Sequence, residues 1–381
     1  MRIFDAHCDT ILKIVEDGAD IAAEPGADAA PHVTLAGLRD AGVGAQVFAV
    51  FAIEARFPGS TRQTALELIE AIDGLCTAHP EYLEWEAGRP GAAGEPASGD
   101  PRAVDGPDAV SGRLEPAVAD PQRGADSTPT RVIVSLEGAD PLEGDPQNLH
   151  EFHSRGVRLV TLAWDDNRFC GAVFGHREPG ADGLTAKGEE LVGVCEELGV
   201  RVDVSHATDA GFWDVCRMAT RPFVASHSDC RAVCSAPRNL TDEMIRALAE
   251  RGGVMGINLC PSFLSQSFYD AEEAVTAPFM AAWHAGDLTL DEAGEKAGAV
   301  TRSLPRPPLE TVVAHVRHAI DVGGEDCVGL GGDLDGVDAL PAGVDGVQDY
   351  PRIVAALLAA GLTEAQVEKV CWGNFARVFA G

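Results

Sequence analysis

Histidine and carboxylate side chains stand where apolar runs stop, at several widely separated places in this chain. The first is His7-Cys8-Asp9, at the end of the run Arg2 to His7. Strand side chains alternate, so His7 and Asp9 share one side while Cys8 points to the other. An imidazole nitrogen and a carboxylate offered together suit zinc or a similar divalent cation, although an HxD string alone carries little weight. Glu137 closes Val132-Ile133-Val134-Ser135-Leu136. A carboxylate there can bridge two cations, cap the following helix or face solvent. Two later runs stop on histidine in the same way, Asp203-Val204-Ser205-His206 and Ala225-Ser226-His227-Ser228, with a helical segment, Ala210 to Met218, between them. One strand-end histidine is ordinarily a structural hydrogen-bonding group. Two on adjacent strands, converging with the HxD and the glutamate on one rim, favour ligation. The last string is Gly331-Gly332-Asp333-Leu334-Asp335-Gly336. Its glycines allow close backbone approach, and an aspartate beside metal-activated water can take a proton and return it to a leaving group. By itself the string reads as a turn or a calcium loop.

Such residues converge only if the elements beneath them place their ends on one face. Eight short runs rich in Val and Ile supply these elements: Arg2 to His7, Ala45 to Ile53, Arg131 to Glu137, Val157 to Trp164, Val200 to His206, Pro222 to His227, Gly253 to Asn258 and Cys327 to Asp333. Most are continuously apolar rather than alternating, as parallel strands covered on both faces are, and helical stretches such as Gly188 to Leu198 separate them. The pattern predicts an α/β protein, a single (β/α)8 TIM-like barrel over residues 1–381. A doubly wound sheet fits less well, because no GxGxxG turn follows the first strand. Two stretches interrupt the barrel. Residues 88–130, dense in Gly, Pro, Ala, Asp and Ser, predict a mobile, low-complexity insertion after strand 2. Residues Phe263 to Pro308 predict a partly helical loop after strand 7, with helices at Ala277 to His284 and Leu290 to Ser303, placed to cover a substrate. His150, His153, His315 and His318 sit in helix-like segments and read as structural.

Twenty-nine Lys and Arg stand against 60 Asp and Glu among 381 residues, a formal charge of -31. That field opposes binding to nucleic acid, whose affinity comes from basic groups that displace counterions from phosphates. Anionic membrane surfaces are disfavoured for the same reason, and no apolar stretch approaches the roughly 18 residues of a spanning helix. Met1 leads directly into the first strand without a signal-like core, so a cytoplasmic protein is expected. Ten scattered cysteines with no CxxC pair are then expected to be reduced and mostly buried.

Taken together, His7-Cys8-Asp9, Ser135-Leu136-Glu137-Gly138, Asp203-Val204-Ser205-His206, Ser226-His227-Ser228, Arg238-Asn239-Leu240, Gly332-Asp333-Leu334-Asp335-Gly336 and Gly373-Asn374-Phe375-Ala376-Arg377-Val378 resemble the membrane (renal) dipeptidases, the M19 metallopeptidases of the amidohydrolase superfamily. The resemblance spans nearly the whole chain. It implies a barrel holding two divalent ions, zinc above manganese or cobalt, with His7 and Asp9 on one, His206 and His227 on the other and Glu137 bridging. It implies a small dipeptide as substrate, a D-residue at its C-terminal position being allowed, attacked by a hydroxide shared between the ions. By the same resemblance Asp333 is the proton shuttle, Asp335 a structural neighbour, and Arg238 the grip on the substrate carboxylate. A homodimer is compatible with it. In one place the chain departs from the pattern. Trp164, in Thr161-Leu162-Ala163-Trp164-Asp165-Asp166-Asn167, stands where relatives of the mammalian type carry a substrate-contacting histidine. An indole donates one hydrogen bond but supplies no imidazolium charge. That leaves open another small amide, a lactam or an ester as substrate, or a catalytically silent binding protein on the same barrel.

Overall fold

Parallel strands alternate with helices through residues 1–85, 128–173 and 183–380, which the computed structural model describes. The strands are β1 (Ile3–Cys8), β2 (Val43–Phe51), β3 (Leu83–Trp85), β4 (Thr130–Glu137), β5 (Val157–Thr161), β6 (Arg201–Asp203), β7 (Val224–Ala225), β8 (Val254–Ile257) and β9 (Val328–Leu330). Their hydrogen-bonded order is β2-β1-β9-β8-β7-β6-β5-β4-β3, and a further pairing of β2 with β4 closes eight of them into a barrel. This is the expected (β/α)8 architecture. The ninth strand, β3, was not anticipated. It is three residues long and pairs only with the first residues of β4, outside the ring. So short a run carries no periodicity from which to read it. The predicted insertion lies outside the described residues up to position 127; Thr130, assigned to it from sequence, is already the first residue of β4.

The strands end earlier than their apolar runs. β6 stops at Asp203 and β7 at Ala225, leaving His206 and His227 in the turns that follow. The helices after these strands start on threonine caps. Thr208 accepts a hydrogen bond from Gly211 N–H and Thr241 from Met244 N–H, each cap worth about 1 kcal/mol. After β8 the helical loop is present as Pro261–Leu264, Gln266–His284 and Leu290–Thr301. Its main helix starts well before the expected Ala277 and runs through Pro278. Glu272 ties it down, accepting hydrogen bonds from Ser262 and Thr301 Oγ1.

Two apolar layers hold the barrel. An inner cluster of Phe4, Ala6, Ala45, Val47, Ile133, Leu159, Val224 and Val254 is closed by Phe375 and Val378 from the C-terminal helix Asn374–Phe379. Phe4 and Phe375 stack with ring centroids 5.5 Å apart, and truncating either to Ala should cost about 3–5 kcal/mol. The outer cluster joins the strands to the surrounding helices. Among the described residues no helix is long and apolar enough to cross a membrane.

Candidate metal centre

On β4 the period of two puts Ile133, Ser135 and Glu137 on the inward face, while Val132, Val134 and Leu136 join the outer core. Glu137 therefore stands on an apolar column at the C-terminal mouth, where it is 3% exposed. Its two oxygens face different partners. Oε2 lies 3.4 Å from His7 Nε2. Oε1 lies 3.2 Å from His206 Nε2 and 3.8 Å from His227 Nε2.

Each partner reaches this point by a local irregularity. On β1, Phe4 and Ala6 face inward, so strict alternation would turn His7 outward. The four residues of β1 from Asp5 to Cys8 are instead matched to three of β2 from Gln46 to Phe48. This bulge aims His7 into the mouth and returns Cys8 to the outer core. Asp9 follows at the strand end, its Oδ2 3.4 Å from His7 Nε2. His206 and Asp333 adopt left-handed backbone with φ of 68° and 55°, strain of about 1–3 kcal/mol each that tight surroundings must sustain. Hydrogen bonds from Asp333 N–H to His7 O at 3.1 Å and from Asp9 N–H to Leu334 O at 2.8 Å sew the last strand's loop to the first.

The tautomer of His227 follows from its neighbours. Asp203 Oδ1 accepts from the backbone N–H groups of Ser205 and Ser226, both at 2.9 Å. Asp203 Oδ2 accepts from Thr161 Oγ1 at 2.7 Å and Ser226 Oγ at 2.6 Å. Ser226 has thus given its only proton to the carboxylate, so at His227 Nδ1, 2.7 Å away, it must accept. His227 carries its proton on Nδ1 and presents a lone pair at Nε2. That is the state a ligating histidine needs, fixed by a carboxylate acting through a hydroxyl.

Electrostatics test whether cations fit here. Asp9, Glu137 and Asp333 are all buried, at 7%, 3% and 8% exposure, and clustered buried carboxylates are unstable without compensation. Burial first, and then the charge of Glu137, push Asp9 up to about 7. Burial also raises Asp333, although His7 works against it. Burial opposes a charged His7, yet Glu137 and Asp9 outweigh it and hold that ring well above its usual range. Burial, with Arg238 and His7 adding to it, holds His206 and His227 well below theirs. Their Nε2 atoms lie 2.8 Å apart. Both ring nitrogens of His7 and Nδ1 of His206 are buried without a hydrogen-bond partner. Neutral imidazoles and surplus carboxylates whose donor atoms converge are a donor set for divalent cations. One ligand atom each from His7, Glu137 and His227 falls within 4.8 Å of the others, and so do atoms of His7, Asp9 and Asp333. His7 belongs to both groups.

The remaining candidates line the same mouth. Arg238 is 3% exposed. It donates to Ser228 Oγ at 3.3 Å and His227 O at 3.2 Å, leaving Nε without a hydrogen bond. Trp164 is half-buried, edge-on to Phe51 with centroids 5.2 Å apart and 5.8 Å from the ring of His206. Asp335 is committed elsewhere: it accepts from Thr10 Oγ1 at 2.5 Å and His32 N–H at 2.8 Å. His315 is a strut, accepting from Cys230 N–H at 3.0 Å and so donating to Leu264 O at 3.1 Å. His318 pairs with Asp242. The sequence reading overlooked Asp203 and Ser226, although both lie inside strings it singled out; their role depends on contacts between strands, which no spacing encodes.

Residues 119–381 match the sequence model described as membrane dipeptidase, peptidase family M19. An uncharacterised protein encoded in the pqqA 5′ region of Klebsiella pneumoniae is 33% identical over 270 residues, covering 70% of this chain and 87% of that protein. An uncharacterised dipeptidase of Schizosaccharomyces pombe is 29% identical over 65% of this chain, which spans 52% of that relative's length. The crystal structure of a metallopeptidase from Rhodobacter sphaeroides, liganded with a phosphinate mimic of the dipeptide L-Ala-D-Ala, shares the fold. It matches with a TM-score of 0.74 at 24% identity, covering 100% of this chain and 98% of that one.

Proposed function

The chain belongs to the membrane dipeptidase family, peptidase family M19, and on that premise we propose that it is a binuclear zinc dipeptidase hydrolysing the peptide bond of small dipeptides, including those with a D-residue at the C-terminal position. The observation that carries the binuclear reading is the division of Glu137, one oxygen toward His7 and the other toward His206 and His227. His7 and Asp9 would hold one ion and His206 and His227 the other, with Glu137 shared. When bound, such ions polarise a carbonyl and lower the pKa of water. The chain's own residues supply the rest. Asp333 takes and returns a proton at Oδ1, the oxygen 3.8 Å from His7 Nε2. Arg238, a buried cation whose Nε has no hydrogen-bond partner among the described residues, binds the substrate's C-terminal carboxylate. Trp164 and Phe51 wall the mouth beside His206 and exclude water from it. The D-residue is supported by the mimic bound to the Rhodobacter sphaeroides protein.

The test measures metal content together with cleavage of a mixed dipeptide panel, D-residues included, before and after chelation and zinc restoration. Two zinc ions per chain with cleavage lost on chelation and regained with zinc is the expected result. Cleavage indifferent to chelation, or none of any dipeptide with both metals bound, overturns the reading. Trp164 in place of the family histidine supports a second reading, in which the same centre opens a lactam, an ester or another small amide; adding those compounds to the panel separates the two. Ten free thiols, nine of them buried, support a reducing, cytoplasmic setting. A homodimer is proposed by family resemblance, and light scattering of the purified protein checks it.

A further inference from the structure

Asp333 must present one particular oxygen to the substrate side if it is to move a proton, and its backbone alone does not ensure this. Its N–H donates to His7 O at 3.1 Å and its carbonyl accepts from Gly336 N–H at 3.1 Å, which fixes the main chain but leaves the carboxyl free to turn. Among the described residues a single group donates to that carboxyl. Asn258 Nδ2 reaches Asp333 Oδ2 at 2.8 Å.

Asn258 follows the last residue of β8 and is fully buried. Its amide cannot be flipped, because Oδ1 accepts from Cys260 N–H at 2.7 Å and an NH2 group there would oppose a donor. The other two contacts then fall to Nδ2, one with Asp333 and one with His227 O at 3.4 Å. The backbone N–H of Asn258 is itself held by Asp229 Oδ1 at 3.2 Å. A chain of fixed donors thus ends on Oδ2 of Asp333, leaving Oδ1 on the side of His7, 3.8 Å from Nε2.

From this geometry we infer that Asn258 is a positioning residue: its side-chain amide occupies Oδ2 of Asp333 and so selects Oδ1 as the atom that carries the proton. This rests on the dipeptidase reading, in which Asp333 moves that proton. Among side chains of this size and shape only an amide serves. Aspartate at 258 would set an acceptor against Oδ2, and a hydroxyl would fall short of it.

The test compares the zinc-loaded parent with Asn258→Asp, which keeps the shape, and Asn258→Ala, which removes the contact. Kinetics, metal content, melting temperature and crystal structures are read for each. Losing a hydrogen bond to a charged group predicts a fall in kcat of about 10- to 100-fold in both variants, with KM within about threefold. Metal content should match the parent, the melting temperature should fall modestly in Asn258→Ala because the Cys260 N–H loses its acceptor, and the Asp333 carboxyl should be rotated in that variant. A kcat within threefold of the parent, an unrotated Asp333, or a fall accompanied by lost metal overturns the assignment. If the parent cleaves no dipeptide, the functional reading fails separately, and the orientation of Asp333 in the two variant structures alone decides the role of Asn258.

Discussion

Asp203→Asn alters one atom at a site that touches no proposed metal ligand through its own carboxyl, yet it should reverse the proton on His227. The substituted amide has only one way to sit. The position of Oδ1 receives two backbone N–H groups at 2.9 Å, so the amide oxygen must stay there, and the NH2 takes the place of Oδ2. Ser226 Oγ, now facing a donor instead of an acceptor at 2.6 Å, turns its own proton toward His227 Nδ1 at 2.7 Å. His227 then carries its proton on Nε2, the nitrogen that should face a cation. Restoring the ligating tautomer forfeits a buried hydrogen bond, about 1–1.5 kcal/mol, and weakens the polarisation of the ring. Together these predict a loss of roughly 10- to 100-fold in affinity for one of the two zinc ions, or about 1.4–2.8 kcal/mol. Competition with a chromophoric chelator measures it directly. Ser226→Ala, which removes the relay, should fall in the same range, whereas Thr161→Val, which withdraws one hydroxyl from Asp203 and leaves the relay intact, should stay within about threefold. Parental zinc affinity in Asp203→Asn would refute the tautomer argument.

Glu137→Gln leaves a single uncharged oxygen where two anionic ones face opposite partners; zinc content should drop from two ions per chain to one or fewer, read by elemental analysis. Arg238→Lys keeps the charge but loses the planar fork, and kcat/KM on dipeptides should fall about 30- to 100-fold while a C-terminally amidated dipeptide is cleaved equally poorly by parent and variant. Asp140 is a pH probe away from the proposed ligands. Burial raises it from 3.8 to about 6, although Glu54 N–H and Asn167 donate to it. The folded chain therefore favours its protonated form, so the contribution of Asp140 to stability is greatest below about pH 4 and declines as pH rises toward 6, by up to about 3 kcal/mol. Asp140→Asn should remove that decline. Melting curves from pH 4 to 7.5 should show the variant's advantage growing with pH and levelling above about 6, and a difference independent of pH would refute the assignment.

The barrel was legible in the sequence because parallel strands buried on both faces must be apolar throughout, and eight such runs separated by helices leave few other topologies. The candidate donors were legible because polar groups at the ends of such runs are conspicuous: His7, Asp9, Glu137, His206, His227 and Asp333 all come together at one mouth. What spacing could not show is how they arrive. Alternation from Phe4 and Ala6 would have turned His7 outward, and only the bulge against Gln46 and Phe48 brings it back. His206 and Asp333 lie beyond their strands in left-handed turns that non-glycine residues do not signal. The short β3 has too few residues to carry a period.

Chain order, then, determined which side chains are available and that they lie at one end of the barrel, since local propensity and burial pattern depend on near neighbours. Tertiary structure decided their states. That Glu137 divides its oxygens, that Asp203 and Ser226 hold the proton of His227 on Nδ1, and that Asn258 donates to Asp333 Oδ2 are contacts between strands far apart in sequence. Hydrogen-bond direction depends on distances of a few tenths of an ångström, and only the closed barrel sets those.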